Sequence, residues 1–255
     1  MSTFNSLLMP VPFGRIRHPS IARMRAIAET MKAEFHILEI DLRYESPLKM
    51  LATIEKLSSD LLVVPTAIVF GSRAQELMHK SPIPVLLVPE APVPRKFNSV
   101  LVPMSGEIRT SHALTLGIKL ASEFAVPLDL IYVVDPETVN EECPCPLLSF
   151  LDDAYHEYPR MLEELIAEAS PLTSIEEKAN IRDFHFCTGA AAREIVNQMK
   201  KRHTSLVAIE WHGRLTRGHA RVLKHILRQA HCLVLLVKTE SHVHFRLKVG
   251  KDIAA

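Results

Sequence analysis

The sequence predicts an α/β protein of two tandem domains, each built on a parallel sheet. Three observations carry this. First, the chain repeats itself: Asn5-Ser6-Leu7-Leu8-Met9-Pro10 returns as Asn98-Ser99-Val100-Leu101-Val102-Pro103. The stretch from Gly71-Ser72-Arg73-Ala74 to Pro84-Val85-Leu86-Leu87-Val88 returns in pattern from Ala220-Arg221-Val222-Leu223 to Leu233-Val234-Leu235-Leu236-Val237. A repeat of this kind has to be settled before anything else is read. Second, short apolar, β-rich segments alternate with helix-period segments, which implies right-handed crossovers and a parallel sheet. Third, Glu90-Ala91-Pro92-Val93-Pro94-Arg95-Lys96 has no periodicity and marks a linker between the copies.

In the first copy, segments 6–10, 35–40, 60–65 and 84–88 read as buried strands. Ile21, Met24, Ile27, Ala28 and Met31 fall at helical spacing after the first strand. Leu48, Leu51, Ile54 and Leu57 do so after the second. A third helix, roughly 72–80, puts Ala74, Leu77 and Met78 on one face. The second copy opens with strand 98–103 and a helix with Leu114, Ile118 and Ala121 inward. Strand 128–134, a proline-rich loop (136–149) and an acidic helix near 150–169 follow. The copy closes with strand 181–187, helix 190–201, strand 205–211, helix 220–230 and strand 232–237. From Asp41 to Pro47 the first copy has too few residues for a counterpart of the 150–187 helix and strand. Four strands are expected there against five. The predicted boundaries are 1–90 for the truncated domain, 97–239 for the complete one and 240–255 for a C-terminal tail.

At 255 residues the chain accommodates two ordinary domains. A formal net charge of +1 gives no global field to draw in nucleic acid or an anionic membrane. The longest apolar runs are strand length and cannot span a bilayer. Residues 1–5 lack the basic flank and apolar run of a secretory signal. Four cysteines are too few for a disulfide framework, and a reducing compartment fits. The expectation is a cytoplasmic protein with no nucleic-acid partner and no membrane insertion.

Val100-Leu101-Val102-Pro103, the β-α-β-α-β-α-β-α-β order and the closing run Val222-Leu223…Ala230-His231-Cys232-Leu233-Val234-Leu235-Leu236-Val237 resemble the universal stress protein family. Ser81-Pro82-Ile83-Pro84-Val85-Leu86-Leu87-Val88 is similar in the first copy. The resemblance covers nearly the whole chain. It implies three-layer α/β/α domains with strand order 3-2-1-4-5, the first copy lacking one strand. For many members it also implies an ATP site. That site uses an Asp just after the first strand. After the fourth strand comes a loop of Gly, two residues, Gly, about nine residues, then Gly-Ser or Gly-Thr. Glycines let backbone N–H groups approach phosphate, and the following helix N-terminus is electropositive.

Matched position by position, this chain departs from that pattern. Pro12 and Ser105 stand at the Asp positions. In the second copy Glu210 stands at the first glycine, Gly213 at the second, and Ala220-Arg221 at Gly-Ser. A carboxylate at Glu210 repels phosphate unless it is paired. The first copy keeps Gly71-Ser72 with almost no loop before it. A vestigial nucleotide pocket is therefore expected only in the second copy, contacted by Met104, Ser105, Val133, Gly213, Ala220 and Arg221, at the carboxyl ends of its strands. No cofactor is expected.

Other constellations have bland readings. His212–Arg221 is rich in Arg and His, and no acid occurs from Trp211 to Thr239. It reads as a retuned anion site or, more in keeping with charge runs, as a solvated basic face. It could also pair with the twelve acids of 135–177. His242 and His244 share a strand face without a third ligand. Cys143-Pro144-Cys145 reads as loop thiols rather than half a metal site. Trp211 stacks on a base or fills space left by the missing loop. Ser111-His112 reads as a helix start with Ser111 capping, not as a dyad. No nucleophile, paired-carboxylate, HExxH or CxxC motif occurs.

The expected function is a tandem stress protein acting as a regulatory or interaction module, not an enzyme. One alternative is an ATP/AMP-binding, slowly hydrolysing member using the second copy alone. Another is an enzyme of the wider adenine-nucleotide-binding superfamily, against which Pro10–Gly14 and Pro103–Gly106 offer no glycine-rich loop. The apolar closing strands, 84–88 and 232–237, need cover. An intramolecular pseudo-dimer of the two domains is expected, with a further homodimer and an unknown protein partner as additional associations.

Overall fold

A computed structural model of the chain describes residues 2–14, 19–42, 44–89, 97–104, 111–134, 166–167, 173–178, 180–211, 213, 215 and 220–238. Strands β1 (Ser6–Val11), β2 (Glu34–Glu39), β3 (Leu61–Pro65) and β4 (Val85–Val88) belong to the N-terminal half. Helices α1 (Pro19–Thr30), α2 (Leu48–Lys56) and α3 (Ser72–Lys80) alternate with them. The C-terminal half holds β5 (Val100–Met104), α4 (His112–Glu123), β6 (Leu128–Val134) and a single turn, α5 (Ile175–Lys178). It continues with β7 (Ile181–Thr188), α6 (Ala191–Lys201), β8 (Leu206–Trp211), α7 (Arg221–Gln229) and β9 (Leu233–Lys238).

The nine strands among the described residues form one sheet, ordered β2-β1-β3-β4-β9-β8-β5-β6-β7. Read from β7 inward, the C-terminal half gives the order 3-2-1-4-5. The N-terminal half gives the same order without its third strand, because the segment between β2 and α2 is too short to supply one. Within each half the pairings are parallel. The two closing strands then meet antiparallel, Val85 opposite Leu236, Leu86 opposite Leu235 and Leu87 opposite Val234. All six of these side chains are buried. Strands that would otherwise be apolar edges thus lie at the centre of the sheet.

Side chains alternate across the pleat and feed two cores. Leu7, Met9, Leu61, Leu86, Val100, Val102 and Leu235 pack with α1 and α4. Leu8, Leu62, Leu87, Leu101, Val207 and Val234 pack with α2, α3, α6 and α7. This makes three layers. Both faces are covered, so the strands read as continuous apolar runs rather than alternating ones. Gly117 lets α4 lie close on the sheet: a Cβ there would come within 2.6 Å of Val102 Cγ2.

Ser111 caps α4 as its position predicts, its Oγ accepting from Leu114 N–H at 3.1 Å. Strand boundaries differ from the sequence reading by one or two residues. β5 starts at Val100 rather than Asn98 because the amides of Asn98 and Ser99 donate to Ser205 Oγ, at 2.9 and 3.2 Å, instead of joining the ladder. A 3₁₀ turn, Thr66–Ile68, leads from β3 toward α3 where a phosphate loop would otherwise lie. Of the expected acidic helix, Ile166 and Ala167 are described and helical. The rest of that helix (150–165 and 168–169), Cys143, Cys145 and the tail 240–255 with His242 and His244 lie outside the described residues.

Candidate functional site: a degenerate pocket at the strand ends

The expected pocket lies at the carboxyl ends of β5, β6 and β8. Met104 ends β5 opposite Tyr132 of β6, so Met104 and Val133 sit one residue apart in register. The pleat sends them to opposite faces: Met104 packs on the α1/α4 core, while Val133 and Ala220 pack on the other. Arg221 is exposed in the first turn of α7. Ser105 lies outside the described residues, as do His212, Arg214 and 216–219 of the basic loop. The structure therefore divides the predicted contacts between two faces and leaves Gly213 as the member that lies in the loop itself.

Glu210 supplies the decisive geometry. Its Oε1 accepts from the backbone N–H of Ala113, at 3.3 Å, in the first turn of α4. That turn has no acidic residue of its own. A helix N-terminus attracts negative charge and exposes free amide donors. Here the protein's own carboxylate takes the place. The repulsion expected of Glu210 is thus relieved internally.

Gly213 is fixed as well. Its φ of +76° is one that glycine tolerates best. Its carbonyl lies 2.9 Å from His79 Nδ1. A carbonyl only accepts, so Nδ1 carries the proton. His79 is in the last turn of α3, in the other half of the chain. Lys238 Nζ, at the end of β9, donates to the carbonyl of His79. The Arg228 guanidinium of α7 stands 5.6 Å from the Phe70 ring centroid, another contact across to the N-terminal half. The residue that a phosphate would approach is instead a docking point between halves.

Ala220 precedes α7 with φ 53° and ψ 41°. This left-handed conformation suits the family's glycine and strains alanine. Trp211 is buried with the α6/α7 core and fills space rather than lining an open cleft. Among the described residues no group of three or more His, Cys, Asp or Glu could hold a metal.

Sequence reasoning missed a second polar cluster. Asp129 of β6 is fully buried and meets two arginines. Arg182 Nε donates to its Oδ1 at 3.0 Å and a second guanidinium nitrogen to Oδ2, while Arg202 reaches Oδ1 at 3.1 Å. Hydrogen bonding to Asp129 pushes the Arg182 pKa up. Arg202 also lies 3.3 Å from Asp183 Oδ2. His185 borders the cluster, and burial and then Arg202 push its pKa down. An Asp inside an apolar strand, opposite a strand reading Ile181-Arg182-Asp183, is the available sequence signal. The cluster sits at the amino ends of the strands and ties the edge strand β7 to α6.

The model of the universal stress protein family matches residues 96–238, more than half of the chain, and the chain belongs to that family. Solved structures agree in fold. A functionally unknown protein from Pseudomonas aeruginosa PAO1 matches with TM-score 0.62 at 14% identity, over 93% of each chain. A universal stress protein from Archaeoglobus fulgidus DSM 4304 matches with TM-score 0.58 at 13% identity, over 92% of this chain and 96% of that one. No curated protein matches the sequence. No helix among the described residues is long and apolar enough to cross a membrane.

Proposed function

We propose that this universal stress protein is a non-catalytic regulatory or interaction module of a cytoplasmic stress response, with a degenerate nucleotide site in its C-terminal half. The observation that carries the reading is the Glu210–Ala113 hydrogen bond, an internal carboxylate seated where an anion would be drawn. The His79–Gly213 contact supports it, since it ties the loop that would cradle phosphate to the N-terminal half of the chain. The missing carboxylate at Ser105 points the same way.

Residues 1–90 and 97–239 act as two copies of one domain that form an intramolecular pseudo-dimer. Its support is the antiparallel β4–β9 pairing and the α3 contact with the loop after β8. Protein partners, including a second copy of the chain, are the expected associates. Native mass spectrometry of the full chain, purified without added ligand, tests the functional reading. The expected mass is that of the bare chain. Retained ATP or AMP would favour a nucleotide-binding role for the C-terminal half.

A further inference from the structure

At the opposite end of the strands from the degenerate site lies a cavity of about 460 Å³. It opens at the amino ends of β5, β8 and β9, between the last turns of α6 and α7. Val196, Met199 and the Cys232 thiol, all buried, make its apolar floor. Burial pushes that thiol up to about 12, so it stays a neutral, soft wall. Lys200, His203 and His231 stand exposed around the mouth. Thr204 also lines the cavity. Thr204 is 6% exposed, and its Oγ1 has no hydrogen-bond partner.

Volume, floor and rim together define a ligand class. The space lies within the range of small-molecule sites. Each polar lining side chain can donate a hydrogen bond, and no carboxylate lines the cavity. Two helix C-termini point here, which would ordinarily oppose an anion. Part of that opposition is offset, because some carbonyls in both last turns are engaged within the chain. Gln198 O accepts from Arg202 N–H at 3.0 Å, Met199 O from Thr204 N–H at 3.0 Å, and Ile226 O from Ala230 N–H at 2.7 Å. His203, with φ 51°, closes α6 and turns its ring to the cavity mouth. The Lys200 charge therefore acts without a competing carboxylate in the lining.

We infer that this cavity binds a small organic carboxylate with an apolar body. The carboxylate sits at Lys200 and the imidazole donors, and the body lies on Val196, Met199 and Cys232. The inference is independent of the degenerate-site reading, which concerns the carboxyl ends of the strands.

Octanoate and 1-octanol serve as probes that share a body and differ in charge. In calorimetric titration of the full chain, octanoate shows one saturable site with Kd below about 1 mM. Octanol binds about tenfold more weakly, or worse. Lys200→Glu, at an exposed position, keeps the circular dichroism spectrum and loses about tenfold or more in octanoate affinity, with octanol unchanged. Equal affinity for the two probes, octanoate binding unaffected by Lys200→Glu, or no saturable heat up to about 5 mM overturns the inference.

Discussion

Removing the Glu210 side chain tests whether an internal carboxylate stabilises the α4 N-terminus. Its acceptor bond to Ala113 N–H is 3.3 Å long, at the weak end of the hydrogen-bond range. Ser111 Oγ already serves Leu114 N–H, so it does not replace Glu210 at Ala113. Ala113 is 0% exposed, and water cannot readily take over its amide. Glu210→Gln keeps a carbonyl oxygen within reach and loses only the charge–dipole attraction, about 0.3–1 kcal/mol. Glu210→Ala also orphans a buried donor and should cost about 1–3 kcal/mol. For a chain of this size that lowers the Tm by roughly 2–4 °C per kcal/mol. Urea and thermal denaturation followed by circular dichroism read both numbers. The Gln effect should shrink in high salt, the Ala effect much less. An Ala variant as stable as the parent, or more so, would falsify the claim that Glu210 fills this position.

Other perturbations probe the same region and the Asp129 cluster at the amino ends of the strands. Ala220→Gly relieves a left-handed alanine, about 1–2 kcal/mol, against about 0.4–1 kcal/mol of added unfolded-state entropy. A net gain of up to about 1 kcal/mol should appear in the urea midpoint, and a clear loss would contradict the strain. Gly213→Ala places a Cβ 2.9 Å from His79 Nδ1 and 3.1 Å from Lys238 Cε, at a φ of +76°. It should destabilise by about 1–3 kcal/mol and be partly rescued by His79→Ala in a double-mutant cycle; strict additivity would mean the two do not touch. His185 has its pKa lowered by burial and by Arg202. On acidification the unfolded chain therefore takes up this proton first, near pH 6.5. Stability should fall as pH drops below about 6.5 until the native ring also protonates. His185→Gln should remove that component, and an unchanged pH profile would exclude it.

Much of the fold was legible because buried parallel strands announce themselves. Leu61-Leu62-Val63-Val64 and Leu233-Val234-Leu235-Leu236-Val237 are continuous apolar runs, and covering both sheet faces requires that. The strand missing from the first copy could be read from the few residues between Asp41 and Pro47. The start of β5 could not, because it depends on Ser205, far along the chain, capturing the amides of Asn98 and Ser99. The Asp129 cluster was hidden for the same reason: Arg182 and Arg202 reach it from other elements. At the candidate site the resemblance identified the substituted positions, Glu210 and Ala220, but not where their side chains go. Glu210 finds α4, and Gly213 finds His79 of the other half, contacts that no local pattern encodes.

Calorimetric titration of the full chain with magnesium-ATP bears most directly on the central claim. Losing one charge-assisted hydrogen bond, at about 1.5–3 kcal/mol, weakens binding by roughly ten- to a hundredfold. Little or no heat is predicted at micromolar protein. Saturable binding with micromolar affinity would contradict the account, and would make Arg221 and the arginines of the preceding loop the first residues to substitute.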